Sequence, residues 1–182
     1  TLGIEHPSTL DTLSTLAQLY HAQGRYSEAE PLYIRALEAH ERTLGPEHPS
    51  TLTSVNNLAW LYSDQGRYDE AEPLLLRAVE SLERTLGPEH PDTLNSVNNL
   101  AWLLQEGGEF EEAAALAREA VKMEPTYASA WDTLGVCLLR AEDYEGAEEA
   151  FLQALDHMPE MPSTLLHMLE LHVVRNEQEL AR

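Results

Sequence analysis

The sequence has few basic and few aromatic residues, and these shortages exclude several classes of protein. Eleven lysines and arginines stand against 32 aspartates and glutamates, which gives a formal net charge of −21. A surface of this sign repels polyphosphates, so we expect binding neither to nucleic acid nor to anionic membrane surfaces. Because the chain has only two phenylalanines, leucine and alanine must build its core, and that composition favours helices.

Cysteine is nearly absent, and long apolar runs are missing. Cys137 is the only cysteine, so one chain cannot form a disulfide, a redox pair or a thiolate zinc cluster. No apolar run approaches the ~20 residues that a membrane-spanning helix requires. We therefore expect a cytoplasmic protein.

What the sequence does contain is a repeated phrase. The pattern TLGxEHPxTL starts at Thr1, Thr43 and Thr85, with a constant spacing of 42 residues. Fixed self-similarity at this period is typical of tandem arrays, in which each unit buries its apolar face against its neighbours.

Each unit is predicted to be a pair of helices. In the second copy, apolar residues recur at helical spacing on both sides of Gly66, a typical helix stop. These residues are Leu52, Val55, Leu58, Ala59 and Tyr62 before the glycine, and Ala71, Leu74, Leu75 and Ala78 after it.

Local signals predict where the helices begin. Capping-box spacing occurs near the start of the second helix in two units, at Ser27 with Glu30 and at Asp69 with Glu72. The connector between units is rich in glycine and proline, and a polar residue after its last proline is placed to cap the next helix. These expected caps are Ser50 and Asp92.

The segment Asn56 to Glu80 resembles a tetratricopeptide repeat. Its consensus positions are occupied by Ala59, Tyr62, Gly66, Tyr68, Ala71 and Ala78. The long TLGPEHP connector and the NNLA that follows it are similar to the 42-residue repeats of kinesin light chains. The resemblance implies an all-α fold, a right-handed α-solenoid of antiparallel helix pairs.

After Asn98 the period shortens, and Trp131, Leu134, Gly135, Ala147, Phe151, Ala154 and Pro159 resemble the ordinary 34-residue tetratricopeptide pattern. We expect a single array over residues 1–182, with Asn176 at the turn of a partial fifth unit and its second helix starting near Ala181. The predicted units are 8–42, 50–84, 92–125, 128–159 and 162–182. Because both ends fall inside repeats, we expect the chain to be a fragment of a larger protein.

The first helix of each unit carries the candidate binding residues, because first helices line the concave surface in this family. Asparagine amides both donate and accept hydrogen bonds, which suits a peptide main chain, and tryptophan is a frequent interface hot spot. The candidates are Asn56, Asn57, Trp60, Asn98, Asn99, Trp102, Gln18 and Arg140. The alternative is structural: Asn57 and Asn99 would bond the backbone of the neighbouring repeat, and the tryptophans would pack between helices.

Catalysis and metal binding are not expected. His6, His48 and His90 recur one unit apart, too far for a shared zinc with bonds of about 2 Å. Adjacent carboxylates such as Glu111 and Glu112 diverge on a helix, and Cys137 lies on an apolar stretch, where a packing role is usual. No GxSxG or phosphate-binding loop occurs. We predict no enzyme activity, no cofactor and no metal.

The expected partner is a protein or peptide segment. In kinesin light chains, groove asparagines act together with basic residues that receive acidic cargo peptides. Here Ser54 and Val55 precede the asparagines and Asp64 follows them, so a neutral or basic partner is favoured over an acidic one. The alternative function is a spacer or oligomerisation module, in which Leu165, Met168 and Leu169 of the unfinished last unit pair with another molecule.

Overall fold

A computed structural model describes residues 7–180 of the chain, where it contains nine α-helices and no strand. The helices are α1 (Pro7–Ala22), α2 (Tyr26–Leu44), α3 (Pro49–Asp64), α4 (Tyr68–Leu86), α5 (Pro91–Gly107), α6 (Phe110–Met123), α7 (Ala128–Arg140), α8 (Tyr144–His157) and α9 (Pro162–Leu180). The all-α prediction is confirmed. The handedness of the solenoid stays a prediction, and so do the single array and its boundaries.

The chain divides into two compact units, Thr1–Ser96 and Val97–Arg182, and the boundary falls within α5. In the first unit α1 packs on α2, α2 on α3 and α3 on α4. Helices joined by two- to four-residue turns that pack along their lengths run antiparallel, as in any helical hairpin. Each of these helices buries small side chains: Ala17, Ala29, Ala59 and Ala71 are fully buried.

The turn within each helix pair has the same geometry in both pairs of the first unit. Gly24 and Gly66 both have φ of +71°, a conformation that glycine adopts without steric cost. Each turn is closed by the following arginine, whose backbone N–H donates to the carbonyl of Tyr20 or Tyr62 at 2.9 Å.

The predicted capping boxes are wrong. The second helices begin at Tyr26 and Tyr68, so Ser27 and Asp69 lie inside the first turn instead of preceding it. The cap positions belong to Arg25 and Arg67, which make no side-chain capping bond. The helix starts early because the tight glycine turn leads directly into it.

Histidine, rather than the polar residue after proline, caps the first helices. Pro49 occupies the first helical position, so the capping residue is His48, whose Nδ1 accepts from the N–H of Ser50 at 3.1 Å. His90 accepts in the same way from the N–H of Asp92 at 3.2 Å. The equivalent His6 lies outside the described residues.

A threonine fixes each connector to the helix that follows. Thr51 Oγ1 donates to the carbonyl of Gly45 at 2.7 Å, and Thr93 Oγ1 donates to that of Gly87 at 2.8 Å. Both threonines are fully buried. The repeated phrase is therefore a structural connector with one defined conformation in both copies.

In the second unit the core forms where α7, α8 and α9 meet. It contains Val136, Leu139, Ala147, Phe151 and Leu171. Gly135 lets α8 approach α7 closely, since a Cβ at this position would lie 2.4 Å from the ring of Phe151. Cys137 is also buried on α7, and burial raises the pKa of its thiol to about 11.

The expected turn at Asn176 is wrong, because α9 continues through it to Leu180. Glycine adopts the left-handed conformation in the turns at Gly24, Gly66 and Gly108, and Glu142 adopts it between α7 and α8. Asparagine does not force that conformation, and at Asn176 the helix is not interrupted. The predicted start of a further helix at Ala181 lies outside the described residues.

Candidate functional site

A cavity of about 550 Å³ opens between α1, α2 and α3 of the first unit. It is lined by Gln18, His21, Ala22, Gly24, Tyr26, Tyr33, Asn57, Trp60 and Asp64. Three of the predicted binding residues, Gln18, Asn57 and Trp60, therefore share one cavity. The side chain of Trp60 is 41% exposed, which is unusual for the largest side chain in a helical protein.

A histidine–aspartate pair forms one wall of this cavity. His21 Nε2 lies 2.7 Å from Asp64 Oδ2, and the His21 side chain is 10% exposed while that of Asp64 is 33% exposed. The imidazole packs edge-on against Tyr26 and Tyr33, with ring centroids 5.6 and 6.1 Å away. The tyrosines thus fix the imidazole, and the imidazole holds the carboxylate at the edge of the cavity.

Tyr33, which contacts His21 in this wall, is itself buried. Tyr33 is 2% exposed, and burial raises the pKa of its hydroxyl to about 12. Tyr26 and Tyr33 thus give the cavity an aromatic lining, and Asp64 adds a carboxylate.

The first asparagine of each pair contacts the next first helix. Asn56 Nδ2 donates to Ser96 Oγ at 2.8 Å within the first unit, and its Oδ1 is buried without a hydrogen-bond partner. Asn98 Oδ1 accepts from Thr133 Oγ1 at 3.2 Å within the second unit. Both contacts are side-chain hydrogen bonds of the first asparagine, whereas the structural alternative concerned backbone bonds of the second. A role of Asn56 and Asn98 in binding stays a prediction.

The remaining candidates are not among the residues that line the cavity. Asn99 and Trp102 are partly buried on α5. Arg140, at the end of α7, donates to Glu170 Oε1 at 2.8 Å, so this cation is already paired with α9. Their role in peptide binding also stays a prediction.

Sequence reasoning missed the residues that organise the cavity. His21 stands where the next two repeats have Ser63 and Gln105, and Tyr33 stands where the next repeat has Leu75. The available signal was therefore a departure from the repeat, whereas the search favoured positions that recur.

One cluster in the second unit contains a serine, a histidine and an aspartate. Asp132 is 7% exposed; its Oδ1 lies 3.0 Å from His167 Nδ1, and its Oδ2 accepts from Ser163 Oγ at 3.1 Å. In a nucleophile–base pair the serine would donate to the histidine. Here it donates to the carboxylate, so the cluster joins α7 to α9 and has no catalytic geometry.

Among the side chains that the structure describes, no three histidine, cysteine, aspartate or glutamate residues are grouped so that they could hold a metal ion. No helix in the described part of the chain is long and apolar enough to cross a membrane.

Helix pairs with a common turn geometry, joined by connectors of one conformation, define a helical repeat protein. The sequence matches the model of the tetratricopeptide repeat over residues 8–83, 61–123 and 98–162. These matches cover well over half of the chain, which therefore belongs to the tetratricopeptide repeat family. Such repeats generally mediate protein–protein interactions, and proteins of this type are typically non-enzymatic scaffolds.

Solved structures with the same fold include proteins related to kinesin light chains. A putative kinesin light chain from Podosopora anserina with nearly identical TPR-like repeats is 29% identical, with a TM-score of 0.76 over 97% of this chain and 93% of that one. A variant of that protein is 26% identical, with a TM-score of 0.77 over 100% of this chain and 94% of that one.

BtubC (BKLC) from P. vanneervenii is 23% identical, with a TM-score of 0.74; the alignment covers 84% of this chain but only 64% of BtubC. Its similarity concerns the fold alone. No curated protein matches the sequence significantly. The predicted kinesin-light-chain-like character of the repeats is confirmed.

Proposed function

We propose that this chain is a non-catalytic scaffold that binds an extended peptide or partner segment along the first helices of its repeats. The observation that carries the proposal is the cavity of the first unit, where Gln18, Asn57 and Trp60 come together from α1 and α3. Amides serve a peptide main chain of any sequence, and an exposed indole provides apolar contact area.

Charge favours a neutral or basic partner. The formal net charge of −21 disfavours association with acidic segments. Arg140, the cation that the sequence places near the predicted groove, is paired with Glu170. We also propose that the protein acts in the cytoplasm and needs no cofactor, nucleic acid or membrane.

The direct test replaces Asn57 and Asn99 together with alanine. Each lost hydrogen bond costs about 0.5–1.5 kcal/mol, so we expect the affinity for peptides selected from a display library to fall roughly tenfold. The matched control is Gln153→Ala, which removes an exposed amide from the second helix α8. Unchanged affinity in a folded double variant would contradict the groove proposal.

A second candidate function is a spacer or oligomerisation module. It is favoured by an apolar stripe on α9, where Leu165, Leu166, Leu169 and Val173 are 51%, 66%, 61% and 48% exposed. Residues four apart lie on one helix face, so Leu165, Leu169 and Val173 form a continuous ridge. The oligomeric state in solution distinguishes this function from peptide binding.

A further inference from the structure

We propose that the cavity of the first unit receives the side chain of an arginine in the partner peptide, with the guanidinium paired to Asp64 and stacked on Trp60. This inference rests on the proposed function and specifies the chemistry of its partner. It reverses the charge preference of the acidic cargo peptides that the resemblance to kinesin light chains first suggests.

The charge of the residues that line the cavity favours a cationic side chain. Among the described lining residues there is no lysine or arginine, and Asp64 is the one carboxylate. Its Oδ2 is held by His21 at 2.7 Å, yet a third of its side chain is exposed at the rim. A carboxylate has two oxygens and about four acceptor positions, so a carboxylate oriented by one partner can still accept from an arriving cation.

The aromatic residues that line the cavity favour arginine over lysine. Trp60 is 41% exposed beside Asp64, and Tyr26 lies across the cavity on α2. A guanidinium binds a carboxylate with a planar fork and also stacks on aromatic faces, whereas an ammonium lacks the plane needed to do both. An aromatic face next to a carboxylate therefore selects arginine over lysine.

The chain already uses this arrangement internally. The guanidinium of Arg67 lies 4.0 Å from the centre of the Tyr62 ring and donates to Glu70 at 2.7 Å and to Glu30 at 3.0 Å. These partners raise the pKa of Arg67, first through the hydrogen bonds to Glu70 and then through those to Glu30. The cavity offers an incoming arginine the same combination of ring and carboxylate.

The cavity also has a suitable size. Its volume of about 550 Å³ lies within the range of roughly 300–1,000 Å³ that is usual for ligand pockets. A single long side chain can enter it while the flanking peptide main chain passes Gln18 and Asn57.

The experiment measures binding of fluorescent, acetylated Gly-Ser-Ala peptides that carry one central arginine, lysine, glutamine or glutamate, together with a library of mixed sequence. Fluorescence polarisation gives the affinities of the wild-type chain and of Asp64→Asn. The matched control is Glu106→Gln, which removes the carboxylate at the equivalent position of the next repeat. Thermal unfolding followed by circular dichroism verifies that each variant folds.

We expect the arginine peptide to bind at least about tenfold more tightly than the glutamine peptide, as one charge-assisted contact allows. Asp64→Asn should remove this preference, and Glu106→Gln should leave it unchanged. Added salt should weaken the binding of the arginine peptide more than the binding of the glutamine peptide.

Three outcomes would overturn the inference. Equal binding of the arginine and glutamine peptides, or preference for lysine, would remove the arginine site while leaving the peptide-binding function in place. An arginine preference that survives Asp64→Asn would place the site elsewhere. Failure of every peptide, including the library, would overturn both this inference and the proposed function.

Discussion

At the scale of single residues, Gly135 determines how closely two helices approach. A Cβ at this position would lie 2.4 Å from Cε1 and 2.5 Å from Cδ1 of Phe151, a side chain with no exposed surface. The ring is enclosed by the α7–α9 core and has no room to move away.

We expect Gly135→Ala to destabilise the protein by about 1–2 kcal/mol. Alanine gains roughly 1 kcal/mol of helix propensity over glycine, but overpacking a core typically costs 1–3 kcal/mol or, for a contact this short, more. The midpoint of urea unfolding measures the change. Gly107→Ala is the control, because its Cβ would meet only Glu109 Oε1 at 3.8 Å.

If the clash with the ring is the cause, combining Gly135→Ala with Phe151→Leu should recover part of the lost stability. The loss in free energy of unfolding of the double variant is compared with the sum of the losses of the two single variants. A loss in the double variant that exceeds this sum would contradict the explanation.

Sequence reasoning identified part of the cavity lining. Asn57 and Trp60 recur in the next repeat as Asn99 and Trp102, whereas Gln18 stands where the next two repeats have tryptophan. The structure brings Gln18, Asn57 and Trp60 into one cavity, and their role in binding stays a prediction. The same reasoning passed over His21 and Tyr33, because a search for periodicity gives weight to what repeats. Contacts between residues 43 positions apart, such as His21 with Asp64, depend on the packing of two helices and leave no local signal.

At the scale of helices, the existence and order of the elements could be predicted, and their starting points could not. The capping-box pattern has the right residues at the wrong position, since the glycine turn leads directly into the helix at Tyr26 and Tyr68. Conversely, histidine is not among the preferred N-cap residues, and only the position of Pro49 at the first helical residue assigns the cap to His48.

We expect His48→Ala to lower the stability of the chain by about 1 kcal/mol, the usual cost of losing an N-cap. His48→Asn should retain most of the stability, because its side-chain oxygen can accept from the same N–H. The midpoint of thermal unfolding provides the measurement, with His172→Ala, an exposed position on α9, as the control.

If His48 acts as a helix cap, the equivalent histidine of the next repeat should have the same effect on stability. His90→Ala should behave like His48→Ala, since both histidines accept from the second following N–H at 3.1–3.2 Å. A stable His48→Ala chain alongside an unstable His48→Asn chain would disprove capping.

At the scale of the whole molecule, the all-α class and the repeat family could be read from the sequence, since a fixed period and consensus positions express the fold many times over. The partner could not, because an array uses similar residues for packing and for recognition. Asn56 and Asn57 illustrate this, because they are adjacent in the sequence but have different surroundings. Asn56 donates a hydrogen bond to Ser96, and Asn57 lines the cavity of the first unit.

The oligomeric state separates the two candidate functions. The peptide-binding proposal expects a monomer of 20.4 kDa in light scattering without peptide. The oligomerisation alternative expects a mass that rises with concentration and returns to the monomer value in Leu169→Glu. Leu152→Glu, which alters an equally exposed leucine on α8, should have no effect in either case.

The pairing of His21 with Asp64 has a consequence for how a ligand is positioned along the chain. A row of identical repeats has translational symmetry, so a bound strand could slide by one unit and meet the same surface again. Ser63 and Gln105 replace His21 in the next two repeats, which breaks that symmetry. Any ligand that uses this pair is therefore held in one register.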